Sequence, residues 1–245
     1  MAGKLAPPVE LPRRFYKIVS TARAGDGFTV LLDGRGVRTP GGRPLAVPTQ
    51  ALAQMLAQEW DAQATHIDMT RMGATRLAFT ALEFVSAARD ATAAEIGRYA
   101  GSDAVCYFAE GPTALVQRQT EAWGAMLDWA RDELGLHFVR ATGITHRPQP
   151  AETLLHVARL AGRDDDFGLA GLAHATALFG SAILALALRR SRLDGSAALD
   201  LSRLDEAFQE ERWGVDEEAA ERTAGMRAEA VMLERWFGAA GEPAL

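Results

Sequence analysis

The sequence predicts an α+β fold, with a small N-terminal antiparallel β-rich domain packed on a larger all-helical C-terminal domain. Three observations lead there. Residues 13–48 break into short extended segments at the turn pairs Asp33-Gly34 and Gly41-Gly42. From Thr49 onward, apolar residues recur mainly at helical spacing. Hydrophobic residues make up 48% of the 245-residue chain and charged ones 24%, a balance that supports a sizeable core.

The elements follow in order. Phe15, Tyr16, Ile18 and Val19 read as a first strand, followed by extended segments at Phe28–Leu32, Val37–Thr39 and Leu45–Val47. Asp33 and Gly34 are expected to be structural, as the turn between two of them. A sheet this small is marginal alone and must pack against something. Thr49 is placed to cap a helix carrying Leu52, Met55, Leu56 and Trp60 on one face, so Trp60 reads as core. The domain boundary is set at residue 60, giving 1–60 and 61–245, within a window from Pro48 to Gly101. "TRLAFTALEFV" and "SAARDATAAEIGRYAG" form the next two helices, with Gly101 expected at the C′ position of the second. "DAVCYFAE" suggests a short strand with Cys106 buried in it. Pro112 opens a long helix with Leu115, Val116, Gln119, Trp123, Met126, Leu127 and Ala130 along one face, ending at Gly135. "HFVRATGI" reads as a short strand or an extended linker. Pro148 and Pro150 start a helix through Ala161. The charge-free run Phe167–Leu188 is rich in alanine and glycine, and its ends carry Asp164–Asp166 and Arg189, Arg190 and Arg192. Those charges suit the two poles of one buried bundle helix better than a membrane span. Leu201, Leu204 and Phe208 share one further helical face. A last helix turns Met226, Ala230, Leu233 and Phe237 inward.

Charge and motifs narrow the function. The net charge of −6 disfavours nonspecific nucleic-acid binding. Residues 1–48 hold eight Lys/Arg against three Asp/Glu, whereas residues 195–245 hold five against twelve, which permits an acidic docking face near the C-terminus. One cysteine allows no intramolecular disulfide. Cys106 has no His/Asn pattern nearby that would mark a nucleophile. The glycine pairs are hairpin turns, since no GxxxxGK[ST] sequence occurs. His66, His137, His146, His156 and His174 show no metal-binding spacing, and His174 reads as a hydrogen-bonded core histidine. Asp164–Asp166 fit a helix cap rather than a calcium loop, and Ser181 reads as a small packing residue. The carboxylates Glu206, Glu210, Glu211, Asp216, Glu217 and Glu218 remain. They leave open a small-molecule enzyme or ligand-binding protein that works through the helical domain.

Several segments in order carry a resemblance: "RRFYK", "VLLDGRGVRTPGGRPLAVPT", "LAQEWDAQATHIDMTRMGATRLAFTALE", "SDAVCYFAEGP" and "FQEERWG". Together they resemble the ATP12 chaperone family, the assembly chaperones of the catalytic head of F-type ATP synthase. The resemblance implies a non-enzyme, and the missing nucleotide loop and metal spacing lead to the expectation of no cofactor and no metal. Such a protein would bind the unassembled alpha subunit and keep it soluble until it pairs with the beta subunit; the composition of the apolar run separately predicts no membrane insertion. The resemblance also implies an essential acid near the Gln…Trp-Gly segment, with Glu206 the first choice and Asp216 the second. The partner-binding set is then Glu206, Gln209, Glu210, Trp213, Gly214 and Asp216. Gly214 would let the chain turn and Asp216 cap the next helix. Trp213 could equally be core. Glu59-Trp60-Asp61 is similar to a family feature. Two positions depart from the family pattern: Glu210 stands where an apolar residue is usual, and Gly73 where proline is expected. The family pattern starts near Arg13, which points to a bacterial cytoplasm, or to a mitochondrial matrix if a presequence has been removed.

Overall fold

The computed structural model describes residues 11–143 and 145–241. Its β unit is built on the Asp33-Gly34 turn, where both residues take left-handed backbone, φ 48° and 78°. Only glycine and short polar residues adopt that conformation cheaply. The turn joins β2 (Gly27–Leu32) to β3 (Arg35–Gly36), and β1 (Val19–Ala24) pairs antiparallel on the other side of β2, with Val19 opposite Leu32. The Asp33 carboxylate also accepts the N–H groups of Ile18 (2.8 Å) and Lys17 (3.1 Å), which hold its pKa below the ordinary carboxylate value.

Residues Phe15–Ile18, expected as strand, instead precede it. Tyr16 is buried and donates its hydroxyl to the Trp60 carbonyl at 2.7 Å, while Phe15 and Ile18 face outward. That anchor pulls the chain off the strand line. The extended segments around Val37 and Leu45 form isolated bridges rather than strands, Arg38 with Pro44 and Phe28 with Val47, and still bury Val37, Leu45 and Val47.

Helix α1 (Gln50–Asp61) begins as its sequence predicts, the Thr49 hydroxyl accepting the Leu52 N–H at 3.0 Å. Leu52, Met55, Leu56 and Trp60 are all buried, and the helix packs on β1 and β2. Glu59 has a role that helical periodicity does not reveal. Its carboxylate accepts the N–H groups of Ala74 (2.8 Å) and Thr75 (2.7 Å), capping α2 (Gly73–Glu83) from a distance.

Helix α3 (Arg89–Tyr99) runs into a 3₁₀ turn at Ala100–Ser102, so Gly101 continues the coil instead of terminating it from a left-handed C′ position. A second 3₁₀ turn, Ala104–Cys106, holds the buried Cys106 just ahead of β4 (Tyr107–Phe108). Burial pushes the thiol's pKa up. Helix α4 (Thr113–Leu134) ends at Gly135 with φ 64°, and β5 (Ala141–Thr142) then pairs parallel with β4. Helix α5 (Ala151–Ala161) follows.

The charge-free run is two helices, not one. Helix α6 (Asp166–Phe179) stops at Gly180, φ 62°, and α7 (Ala182–Arg189) restarts with Ser181 as its cap, its hydroxyl accepting the Leu184 N–H at 3.1 Å. Among the described residues no helix is long and apolar enough to cross a membrane. The aspartates at the start divide their work. Asp165 caps α6 through the Gly168 N–H, while the buried Asp164 pairs with the buried Arg189. His174 does not sit in the core. Its ring is part-exposed and meets Glu229 at 2.6 Å.

The expected single face of Leu201, Leu204 and Phe208 is also split. Helix α8 (Gly195–Ser202) carries Leu201, and α9 (Leu204–Trp213) carries the other two. Helix α10 (Glu217–Ala240) closes the molecule, burying Ala230, Leu233, Trp236 and Phe237 among α1, α2, α6, α7 and α8. The architecture is the expected α+β arrangement, and its buried side chains form one cluster running from Tyr16 to Phe237.

Candidate functional site

Helix α9 is held to the rest of the molecule by few groups. Phe208 is its one buried side chain, flanked by the guanidinium groups of Arg118 and Arg212, 5.2 and 4.2 Å from the ring centre. At its C-terminal end the Gly214 N–H reaches the Glu210 carbonyl at 2.9 Å, and φ 85° at Gly214 turns the chain away. Asp216 then caps α10, accepting the Ala219 N–H at 2.8 Å. The first half of α10, from Glu217 to Glu229, has no buried residue. The two helices form a hairpin tied only lightly to the body along this stretch, through the part-buried Met226, the Arg227–Asp200 pair and the Glu229–His174 contact.

Inside the bend lies a cleft of about 460 Å³, lined by Arg203, Glu206, Gln209, Glu210, Trp213 and Arg222, among others. The sequence-derived candidates Glu206, Gln209, Glu210, Trp213 and Gly214 thus come together around one space. Asp216 sits at the next helix start, its carboxylate used as the cap, and does not line the cleft. Trp213, left open between core and surface by its sequence, is 86% exposed.

Most acids of the hairpin already have partners. Glu210 pairs with Arg203 at 2.7 Å in a partly buried contact, which gives a reason for a carboxylate at that position. Glu211 pairs with Arg118 at 2.7 Å and Glu218 with Arg222 at 3.0 Å, both at the surface. Glu206 is exposed and makes no ion pair among the described residues. A free carboxylate and an uncovered indole lining one cleft suit a cation, by charge and by cation–π attraction. Among the described residues no group of His, Cys, Asp and Glu is arranged to hold a metal ion.

Two residues escaped the sequence reading of the site. Asp205 points inward, its Oδ1 accepting the Gln119 Nε2 at 2.6 Å. Burial raises its pKa, the Gln119 hydrogen bond opposes that, and the neighbouring Glu206 charge adds to the rise. Gln119 is completely buried in α4, and its Oε1 accepts the Ala109 N–H at 2.7 Å. A lone amide on the apolar stripe of α4 was the available signal, because a buried polar group requires a partner.

The chain matches known proteins over nearly all of its length. The family described as ATP12 chaperone protein matches residues 13–131. The crystal structure of Atp12 from Paracoccus denitrificans superposes with a TM-score of 0.88 at 42% identity, covering 94% of this chain and 99% of that one. An aspartate-to-lysine mutant of Paracoccus denitrificans Atp12p gives a TM-score of 0.88 at 41% identity, over 94% and 98% of the two chains. A mitochondrial protein of Schizosaccharomyces pombe named atp12 is 24% identical over 233 residues, 89% of this chain and 80% of the yeast protein.

Proposed function

The chain belongs to the ATP12 chaperone family, and on that premise we propose that it binds the unassembled alpha subunit of F-type ATP synthase and keeps it soluble until it pairs with the beta subunit. The work is binding, without catalysis and without a cofactor. Its place is the bacterial cytoplasm, or the mitochondrial matrix where a presequence has been removed. One observation carries the docking assignment: the cleft between α9 and α10 is lined by an uncovered Trp213 and by Glu206, which has no ion-pair partner among the described residues.

Covering an indole recovers about 25 cal/mol for each Å² of apolar surface taken from water, so Trp213 supplies affinity. Glu206 supplies direction. The acidic excess of residues 195–245 attracts a basic surface, and a lysine or arginine of the partner can sit between the carboxylate and the indole. Gln209 and Glu210 complete the wall, Gly214 sets the bend, and Asp216 holds the start of α10.

The test is co-expression with the alpha subunit, scored by how much of it stays soluble, beside a thermal melt of each purified variant. Glu206→Ala should weaken protection by up to about 1 kcal/mol of binding. Glu206→Lys should be worse, because it reverses the sign of the contact. Neither should move the melting temperature, since the residue is exposed and forms no ion pair among the described residues. If Glu206→Lys protects as well as the wild type, the docking acid lies elsewhere in the hairpin.

A further inference from the structure

The cleft depends on the rotation of α9 about its own axis, because that rotation decides which side chains face the bend. Few groups fix it. The cap position, Arg203, gives no side-chain hydrogen bond to the helix start. Phe208, three residues on, turns the same face inward as Asp205 but holds it through apolar and cation–π packing, which tolerates small rotations better than a hydrogen bond does. The Arg118–Glu211 pair is about half exposed on both sides, and such pairs hold geometry weakly. The Gln119–Asp205 hydrogen bond differs, since one partner is fully buried and the other part-buried.

Its polarity is fixed as well. The Ala109 N–H can only donate, so Gln119 must turn its oxygen toward it, at 2.7 Å. The amide nitrogen is then forced toward α9, where Asp205 presents an acceptor at 2.6 Å. The strand side of α4 therefore dictates what the first turn of α9 must offer. In some proteins a buried polar contact selects one arrangement among several of similar energy.

We infer that Gln119 is the positioning residue of the cleft: clamped by the Ala109 N–H, it holds Asp205 inward and so turns the next residue, Glu206, together with Gln209 and Trp213, toward the bend. The inference rests on the cleft as the docking site, but the orientation of α9 can be measured without any partner.

Cys106 is buried, so cysteines introduced at exposed positions can be labelled selectively. Spin labels at Glu121→Cys on α4 and Gln209→Cys on α9 report the distance between the helices. The otherwise wild-type protein should give one narrow distribution. Gln119→Glu keeps the acceptor for Ala109 but sets a second carboxylate against Asp205, and the distribution should broaden. Asp205→Asn added to Gln119→Glu restores a donor–acceptor pair with reversed polarity, and the narrow distribution should return. Client solubility, scored with unlabelled proteins, should fall and recover in step.

If Gln119→Glu does not fold, Asp205→Ala on the part-exposed side tests the same bond and should also broaden the distribution. A narrow distribution in either single variant overturns the inference, as does a double variant that stays broad. If the distances behave as expected while Glu206→Lys still protects the client, the positioning stands and the docking assignment fails.

Discussion

Trp60 shows how a single side chain is fixed by its surroundings. It lies on the buried face of α1, its ring edge-on to Tyr16 at 5.8 Å, yet its indole N–H has no hydrogen-bond partner among the described residues. Its contribution is therefore volume and contact, with nothing gained from the polar atom. Trp60→Ala should lower stability by about 3–5 kcal/mol in denaturant titration. Trp60→Phe should cost much less, because it removes an unsatisfied donor along with part of the ring. Equal losses from the two would mean that the N–H has a partner in solution. Trp213, the same residue type on another helix, has the opposite fate at 86% exposure. Trp60 falls on an unbroken stripe with Leu52, Met55 and Leu56, so its burial was legible. Trp213 ends a short helix with a single buried side chain, and no local pattern could place it.

Element boundaries depend on groups far apart in sequence, which is why some were missed. Gly180-Ser181 lies in an unbroken apolar run, and glycine or serine inside such a run is compatible with a continuous helix. What breaks it is Asp103, whose carboxylate accepts the Ile183 N–H at 3.0 Å and the Val105 N–H at 3.3 Å, while the Ala104 N–H reaches the Gly180 carbonyl at 3.1 Å. The division between α8 and α9 at Arg203 likewise has no proline or glycine to announce it. Caps written locally were legible, as Thr49 and Asp216 show. That Glu206, Gln209, Glu210 and Trp213 share one neighbourhood was legible from their spacing, but the inward turn of Asp205 was not, because its partner is 86 positions away.

Asp103 also gives this junction a pH dependence. Burial is the largest influence and raises its pKa from 3.8 to about 6, with the hydrogen bonds from Ser181, Ile183, Val105 and Ala182 opposing. A folded pKa above the unfolded one means that the contribution is complete below about pH 4 and is lost as pH rises through 6. Between pH 4 and 7 the wild type should therefore lose on the order of 3 kcal/mol relative to Asp103→Asn, which has no proton to release. Parallel stability curves for the two proteins would show that the hydrogen bonds outweigh burial.

At the scale of the whole molecule, the buried pair of Arg189 and Asp164 ties three regions together. Arg189 donates through Nε to Asp164 at 2.9 Å and through Nη1 to the Gly241 carbonyl at 2.7 Å, and its guanidinium lies 5.3 Å from the Phe237 ring centre. Removing it leaves a carboxylate buried without a counter-charge. Arg189→Ala should cost about 3–5 kcal/mol by thermal or chemical denaturation. Replacing the pair by Arg189→Met with Asp164→Leu should cost less than the single change, and a double variant that is the weaker of the two would mean that the pair itself is worth more than its burial costs.

The way α10 enters the core has a consequence for biosynthesis. The Thr49 hydroxyl meets the Ala239 carbonyl at 2.5 Å, and Leu233, Trp236 and Phe237 fill space that α1, α2 and α6 leave between them. On the ribosome the chain emerges from its N-terminal end, so the β unit and the first helices are made long before the side chains that complete their packing. Their apolar surfaces stay open until residue 237 has left the exit tunnel. The hairpin that carries Trp213 becomes an ordered platform only when the helix behind it has docked. A member of a chaperone family thus passes through a stage, set by the order of its own translation, in which its own apolar surface is exposed.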